Sequence, residues 1–466
     1  MTQRSGAVVG LALALALVAA CDRSGGGAPR EPVPAVPGDA TPQLGPEPAE
    51  VWSEAWITWQ RRRYLEDGGA RRAALEASLV NPANMYSAQR LAAYGLDVRG
   101  WDALPVWNPR SQPITAEIAA ALERGEAPRL PAGRKPLWDG VAPATQAGWV
   151  ELGRRVFFEY PMRAEVFAEW GFTHRATFDA IGVERTADGG VPGLVVFANV
   201  DGKTRVGITC AVCHSTVRDG QLVAGAARRT FDYGRLRIAY FDETRAFVEP
   251  ELARRMAKWG PGRADVTEDN DEDPVAIPDL WGLRAQTSLT QAGTIKHASP
   301  LALAIRQETQ LLHSNHQLVR PPRELAWALA MYVYSLEPPP RAPPKHPERL
   351  ARGGELFATH CRGCHGNAAH GGRTIAATAI GTDLALANGL ARGTGLYRVP
   401  GLLDVARGAP YLHHGVVASL DELLSPARLG ADYTRGRTPG PIPGHLAGTD
   451  LSAPDRAALV TYLETL

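Results

Sequence analysis

The chain has 466 residues, of which 45% are hydrophobic, and this length is enough to bury more than one core. Its 50 lysines and arginines nearly balance its 49 aspartates and glutamates, so the formal net charge is only +1. This balance gives no support for a nucleic-acid or acidic-lipid partner, and the composition excludes a disordered or fibrous chain.

The N-terminus has the pattern of an export signal. Arg4 precedes an apolar run over residues 6–20, which is too short to span a bilayer comfortably, since that takes about 20 apolar residues. The run ends in Leu-Val-Ala-Ala followed by Cys21, which resembles the bacterial lipoprotein signal. We therefore expect residues 1–20 to be removed and Cys21 to be acylated; an ordinary signal peptide is the alternative.

The next segments link this anchor to a folded body. Residues 21–50 are rich in Gly, Pro and Ala, which predicts a flexible tether. Residues 51–136 are predicted to form an N-terminal helical extension, with Trp52, Trp56 and Trp59 packed in a core rather than forming a binding face. The expected location is the periplasmic side of the cell envelope, with the chain lipid-anchored to a membrane.

Four of the five cysteines form two copies of one motif. The copies are Cys210-Ala-Val-Cys213-His214 and Cys361-Arg-Gly-Cys364-His365. Cys-x-x-Cys-His is the attachment site of c-type haem, in which two thioethers hold the porphyrin and the histidine is the proximal iron ligand. A redox dithiol, a zinc site and a disulfide within each motif are the alternatives, but none explains the repeated histidine. Two covalently bound haems are therefore predicted.

The surroundings of the two motifs repeat in the same order. A helix-compatible stretch precedes each motif, at residues 153–157 and 353–357, and an apolar helical pattern closes each half, at residues 323–336 and 450–466. Between them, Val275-Ala-Ile-Pro-Asp-Leu280 resembles Tyr397-Arg-Val-Pro-Gly-Leu402. The order indicates an internal duplication.

The predicted fold is mainly α, with two cytochrome-c-like haem domains in tandem. The first domain covers residues 137–337 and contains an insertion at residues 164–208, where valine-rich and glycine-rich pieces predict a small β element. The second domain covers residues 348–466, after a proline-rich linker at residues 338–347.

Two segments resemble a known family. Residues 150–159 resemble the opening helix of bacterial di-haem cytochrome c peroxidases, and residues 397–415 resemble their C-terminal haem loop. Over residues 137–466 the resemblance is closest to the branch of the methylamine-utilisation di-haem enzyme and the haem-containing rubber oxygenases. The tail at residues 444–452 is similar to the rubber-oxygenase-like members.

The resemblance implies a distal ligand on the second haem, which is a methionine in such peroxidases. No methionine follows Cys364, so a methionine from this half of the chain is excluded. The remaining candidates are His370, His413, His414, His445 and Tyr433. We expect His445, in the tail, with His413 as second choice. Bis-histidine ligation lowers the reduction potential relative to histidine–methionine.

The first haem is the candidate for chemistry. Its sixth position is open or is filled by Met162, His174 or His297. The family's Trp-Asp-Gly-Arg is replaced here by residues 291–294, so Trp281 becomes the candidate residue between the haems, with core packing as the alternative. Gln307 and Glu308 lie where the peroxidases keep their acid–base residues, with a solvated helix face as the alternative.

Two classes of function follow. One is a peroxidase-like or oxygenase-like oxidoreductase whose first haem reacts with peroxide, O2 or an organic substrate, while the second relays electrons from a small cytochrome or cupredoxin-like donor. The alternative is a non-catalytic electron-transfer cytochrome.

The acidic residues 265–273 suggest a Ca²⁺ site, with a solvated loop as the alternative.

Overall fold

The computed structural model describes residues 44–93, 102, 104–265, 274–315, 319–341, 343–435 and 439–466. The predicted signal, Cys21 and most of the tether lie outside the described residues, as do residues 266–273 of the acidic segment. From Ala40 onward the chain belongs to one compact unit, so the predicted domain boundaries stay a prediction. None of the described helices is both long and apolar enough to cross a membrane.

The chain up to the first motif contains short helices and four strands that form one sheet. The helices are α1 (Glu54–Glu66), α2 (Gly68–Ser78), α3 (Met85–Ala93), α4 (Ala116–Glu123), α5 (Gln146–Glu159), α6 (Val166–Phe172) and α7 (Arg175–Ala180). The strands are β1 (Ser111–Ile114), β2 (Arg163–Ala164), β3 (Val191–Ala198) and β4 (Thr204–Ile208).

From the first motif to residue 341 the described chain contains helices of 4 to 15 residues. They are α8 (Ala211–His214), α9 (Tyr233–Thr244), α10 (Pro250–Ala257), α11 (Pro300–Ser314) and α12 (Arg323–Tyr334). The strands pair in short hairpins and are β5 (Ser215–Arg218), β6 (Gln221–Ala224), β7 (Arg263–Ala264), β8 (Val275–Ala276), β9 (Ser288–Leu289) and β10 (Ile295–Lys296).

The remaining chain has a long helix at each end and loops between them. Its helices are α13 (Leu350–His360), α14 (Ala377–Ile380), α15 (Ala385–Asn388), α16 (Leu420–Leu423) and α17 (Ala453–Leu463). Its strands are β11 (Ile375–Ala376) and β12 (Leu396–Tyr397), which pair with each other.

The predicted duplication has a structural counterpart in two helix pairs. Helix α5, before the first motif, packs on α12, and α13, before the second motif, packs on α17. Helices α12 and α17 lie where apolar periodicity predicts them, and α17 begins at a Ser452 cap that accepts from the Asp455 amide. Each pair crosses at a glycine, Gly153 or Gly353, that leaves no room for a side chain.

The predicted β element is present in the insertion, but the sheet reaches beyond it. Strands β3 and β4 form an antiparallel pair with Val195 opposite Gly207, and the full sheet order is β1-β3-β4-β2. Strand β1 comes from the N-terminal extension. The extension was predicted to be helical, and it therefore differs from the prediction in containing a strand. The reason is that the second edge of β3 needs a hydrogen-bonding partner, and β1 supplies it.

The N-terminal extension contacts both halves of the chain. The Val80 amide donates to the Thr294 carbonyl at 3.1 Å. The Met85 and Tyr86 amides donate to the carbonyls of Leu390 and Ala391 at 3.0 and 2.9 Å. Of the three tryptophans predicted to pack in a core, Trp56 is buried in it and Trp52 packs against it partly buried, whereas Trp59 is half-buried outside it.

Candidate functional site

The sheet of the insertion positions the first motif. Strand β4 ends at Ile208, the Thr209 amide donates to the Gly193 carbonyl at 2.9 Å, and α8 begins at Ala211. Gly193 has φ +90°, and a Cβ there would lie 2.3 Å from the Val212 backbone. Only glycine permits this close approach, so β3 holds the backbone of the motif directly.

The histidine of the first motif has a fixed hydrogen bond. His214 Nδ1 lies 3.1 Å from the Pro278 carbonyl oxygen, to which it can only donate. Burial lowers the His214 pKa to about 4, so the ring is neutral at pH 7. A neutral imidazole that donates through Nδ1 keeps a lone pair on Nε2, which is the form that binds a metal.

The second motif repeats this arrangement. His365 follows α13, and its Nδ1 lies 2.8 Å from the His370 carbonyl oxygen, with the Pro400 carbonyl as a further hydrogen-bond partner. Burial lowers the His365 pKa as well. Pro278 and Pro400 occupy the same position in the two matched loops. The sequence match therefore marked the two prolines, although it did not predict that their carbonyls accept from the motif histidines.

The four motif cysteines are free thiols, so neither motif contains a disulfide. Burial raises the pKa of Cys210 to about 12 and that of Cys213 to about 11. It also raises the Cys361 pKa to about 11. The attacking cysteine of a redox dithiol has a lowered pKa, because the thiolate is the nucleophile. The redox-dithiol alternative therefore loses support for the first motif, where burial raises the pKa of both thiols.

A cavity opens beside the second motif. It encloses about 300 Å³ and is partly open to solvent. Ordinary small-molecule pockets enclose about 300–1,000 Å³, so this cavity lies at the small end of their range. Its lining includes both cysteines and the histidine of the motif together with Pro278, Trp281, Arg398, His413 and His445.

His445 lies across this cavity from His365. Their ring centres are 6.5 Å apart, and the ring planes are inclined at 63°. His445 has φ +47°, an uncommon conformation for a residue other than glycine, and its amide donates to the Ile380 carbonyl at 3.1 Å. Burial lowers the His445 pKa to about 4, so this ring is also neutral.

Two of the other candidates for the second haem, His413 and Tyr433, form side-chain hydrogen bonds elsewhere. His413 Nε2 lies 3.1 Å from the Tyr397 hydroxyl, and the His413 ring stacks on those of Tyr397 and His414. The Tyr433 hydroxyl donates to Glu422. Of the candidate histidines, the structure brings His445 opposite the motif histidine and places His413 on the cavity wall.

Trp281 connects the two motif regions. It is 5% exposed, it belongs to the main core, and it also lines the cavity of the second motif. Its Nε1 donates to the Ala224 carbonyl at 3.3 Å. The Leu280 amide donates to the Gly225 carbonyl at 2.8 Å, and the Gly225 amide donates to the His214 carbonyl at 2.9 Å. One loop therefore contacts the first motif through Pro278 and the second cavity through Trp281.

The candidate ligands of the first haem differ in their surroundings. His174 Nδ1 lies 2.9 Å from the Trp170 carbonyl oxygen, and its Nε2 pairs with Glu243. His297 Nε2 donates to the Leu283 carbonyl at 3.2 Å and contacts the Tyr334 hydroxyl. Such hydrogen bonds are ordinary for a histidine near the surface, as His174 is, and for one in the core, as His297 is. The Met162 amide, by contrast, donates to the Ile208 carbonyl at 2.8 Å, two residues before Cys210.

A small apolar cavity borders Cys213. Its lining includes Glu165, which is 2% exposed and whose carboxylate accepts from the Tyr233 hydroxyl at 2.8 Å. Arg163 donates to the same carboxylate at 3.0 Å. The sequence singled out neither Glu165 nor Tyr233, because the two lie 68 residues apart and share no motif.

The predicted acid–base pair lies in a different environment. Glu308 is fully buried, accepts from the Tyr64 hydroxyl at 2.7 Å and pairs with Arg323 at 3.3 Å. Gln307 is half-buried beside it on α11. Neither residue lines the two cavities described above. Their catalytic role stays a prediction.

The calcium prediction falls mostly on residues outside the described part. In the part that the structure describes, no three His, Cys, Asp or Glu side chains are arranged to hold a metal ion.

No protein-family model matches the chain, and no curated protein matches it significantly. Among solved structures, a MauG-like protein associated with microbial copper homeostasis is similar, with 16% identity and a TM-score of 0.31. The match covers 73% of this chain and 92% of the other.

Proposed function

We propose that this chain is a di-haem c-type cytochrome that acts as an oxidoreductase. One observation carries the proposal: both Cys-x-x-Cys-His histidines direct Nδ1 to backbone carbonyls, and the equivalent prolines of two matched loops take part in both sites. This fixes the tautomer of both rings and leaves each Nε2 free to bind iron. A dithiol has no need of that arrangement. A zinc site would share it, but among the described residues no three His, Cys, Asp or Glu side chains are arranged to hold a metal ion.

Each motif supplies the attachment of one haem. Cys210 and Cys213 would form the thioethers of the first, with His214 as proximal ligand; Cys361, Cys364 and His365 would do the same for the second. Bound haem supplies one-electron redox chemistry and, where a coordination position is open, binds peroxide or dioxygen.

We propose His445 as the distal ligand of the second haem. Metal–imidazole bonds are about 2 Å long, so two imidazoles on opposite sides of one iron have ring centres roughly 6 Å apart. The observed 6.5 Å separation from His365 fits this requirement. His413 remains the second choice, since its Nε2 would first have to leave the Tyr397 hydroxyl.

Arg398 supports the presence of an acidic cofactor in the same cavity. Its guanidinium faces no carboxylate among its described contacts, its Nε has no hydrogen-bond partner, and burial lowers its pKa to about 10. Arg398 is half-buried, and a charge that is partly removed from water without a partner is costly. A haem carries two carboxylates, and one of them would pair with this cation.

The first haem is the proposed reactive centre. His174 and His297 use their ring nitrogens in other hydrogen bonds, which favours an open sixth position. The reaction would be peroxidase-like or oxygenase-like, with peroxide, O2 or an organic substrate. The second haem would take electrons from a small cytochrome or cupredoxin-like donor, and Trp281, which lines the cavity of the second motif, would support their transfer to the first.

One observation favours the alternative of a non-catalytic electron carrier. Met162 is held next to the strand that leads into the first motif, and a methionine ligand from there would close the first iron. Localisation is part of the proposal as well: Cys21 would anchor the chain to a membrane on the periplasmic side of the envelope.

The first experiment is an electron paramagnetic resonance spectrum of the oxidised full-length protein, with haem content measured by pyridine haemochrome. Two haems per chain and a high-spin signal that disappears with peroxide are expected. Two low-spin signals that ignore peroxide, and no carbon monoxide binding after reduction, would favour the carrier. Fewer than two haems per chain would contradict the proposal.

The ligand assignment has its own test. His445→Ala should convert the second haem to high spin, whereas the matched variant His413→Ala should keep it low-spin. The reverse pattern would move the assignment to His413.

A further inference from the structure

A buried arginine holds the segment that carries His445. Arg428 lies in the short helix Pro426–Leu429 and is completely shielded from solvent. Its Nε donates to the Leu423 carbonyl at 2.8 Å, and its Nη1 donates to the Ile442 carbonyl. Its Nη2 donates to the carbonyls of Gly444 and His445, both at 2.8 Å. One guanidinium thus satisfies four backbone acceptors.

The other side of this segment is equally confined. Gly444 has φ +85°, and a Cβ at this position would lie 2.5–2.6 Å from atoms of Thr382. The His445 amide is bonded to the Ile380 carbonyl. The backbone of Gly444 and His445 is therefore enclosed between the Arg428 guanidinium and residues 380–382.

This enclosure matters because His445 adopts a left-handed backbone conformation. A backbone φ of +47° is energetically unfavourable for a residue with a Cβ. Such a conformation persists only where the surrounding contacts hold the residue in place. Backbone carbonyls that lose their donor in a closed space also favour rearrangement. The planar fork of arginine reaches several carbonyls at once, which the single ammonium of lysine does not.

We infer that Arg428 is a positioning residue that fixes His445 opposite His365 and thereby sets the coordination number of the second haem. The inference rests on the proposed function, because it takes His445 as the distal ligand. Arg428 does not line the cavity of the second motif, and it would act through the backbone of the ligand.

The test uses the full-length protein with both haems attached, and it compares Arg428→Met, Arg428→Lys and His445→Ala. The readout is the low-spin ferric signal of the second haem, before and after addition of imidazole. Arg428→Met should lose most of this signal, Arg428→Lys should lose less, and imidazole should restore it in both. Should Arg428→Met fail to accumulate, Arg428→Lys alone gives the same comparison.

Leu463→Ala is the matched control, since it weakens the same core from α17 without bonding to residues 442–445. Its melting temperature should fall while its low-spin signal stays intact below that temperature. A fully low-spin Arg428→Met protein, or equal signal loss in Leu463→Ala, would overturn the inference. If His445→Ala stays low-spin, the proposed ligand itself is wrong, and the two failures are thus distinguishable.

Discussion

Gly153 and Gly353 occupy equivalent helix crossings, each directly against a backbone carbonyl of the partner helix. A Cβ on Gly153 would lie 1.9 Å from the Ala328 oxygen, and a Cβ on Gly353 would lie 2.2 Å from the Ala458 oxygen. At each crossing the added Cβ would also lie 2.7 Å from the Cβ of a tyrosine, which follows the contacted alanine by four residues on the partner helix. The two halves of the chain therefore share one helix-pairing geometry.

Gly353→Ala should destabilise the second half. The added methyl group overlaps the Ala458 carbonyl, and overpacking of this kind costs about 1–3 kcal/mol. Gly354→Ala is the control, because its Cβ would meet Tyr462 at an ordinary 3.4 Å and alanine favours the helix by about 1 kcal/mol. Thermal unfolding should show a lower melting temperature for the first variant only. Equal melting temperatures would argue against a tight crossing.

Glu308→Gln should reduce stability rather than chemistry. The carboxylate receives the Tyr64 hydroxyl and pairs with Arg323, so its replacement weakens a buried charged network by about 1–3 kcal/mol. Gln307→Ala, on the neighbouring half-buried position, should change stability by less than about 0.5 kcal/mol. Urea unfolding and peroxide turnover are measured on the same samples. An unchanged unfolding free energy with lost turnover would instead support the acid–base role.

Trp281→Phe should slow electron transfer between the haems while both haems remain attached. The change removes the indole N–H that donates to the Ala224 carbonyl, which lowers the free energy of unfolding by about 1 kcal/mol. It also replaces the indole ring on the cavity wall by a smaller phenyl ring. Trp327→Phe is the control, since Trp327 is a fully buried core residue that lines neither cavity described above. Stopped-flow reduction by a small donor follows the two haems separately. Equal rates in both variants would leave Trp281 as a packing residue.

His297 should make the fold sensitive to acid. Burial lowers its pKa to about 4, below the value of about 6.5 in an unfolded chain. Between these values the unfolded state binds more protons, so the free energy of unfolding falls as the pH falls, by up to about 1.4 kcal/mol per pH unit. His297→Gln, which keeps an amide donor for the Leu283 carbonyl, should lose this part of the slope. Urea denaturation at pH 7, 6 and 5 measures it, and identical slopes would contradict the prediction.

The predictable parts of this protein are those encoded by local spacing. The two motifs, the helices beside them and the matched loops with Pro278 and Pro400 follow from short patterns and helical periodicity. The insertion hairpin follows from its valine and glycine content. These features need no knowledge of the rest of the chain.

The parts that could not be predicted depend on polar residues that are distant in sequence. Tyr64 and Glu308 lie 244 residues apart, and nothing local marks either as a partner of the other. In the sequence, nothing distinguishes Arg428 from a surface arginine, and only the structure shows its four carbonyl acceptors. Strand β1 likewise depends on the free edge of a strand that comes much later in the chain.

The contacts of residues 80–86 with both halves have a consequence for the proline-rich linker. Because these residues bond to Thr294 on one side and to Leu390 and Ala391 on the other, the halves are joined by more than the peptide between them. A chain nicked by a protease within residues 338–347 would still sediment as one particle. A linker of another length would therefore leave these contacts between the halves in place.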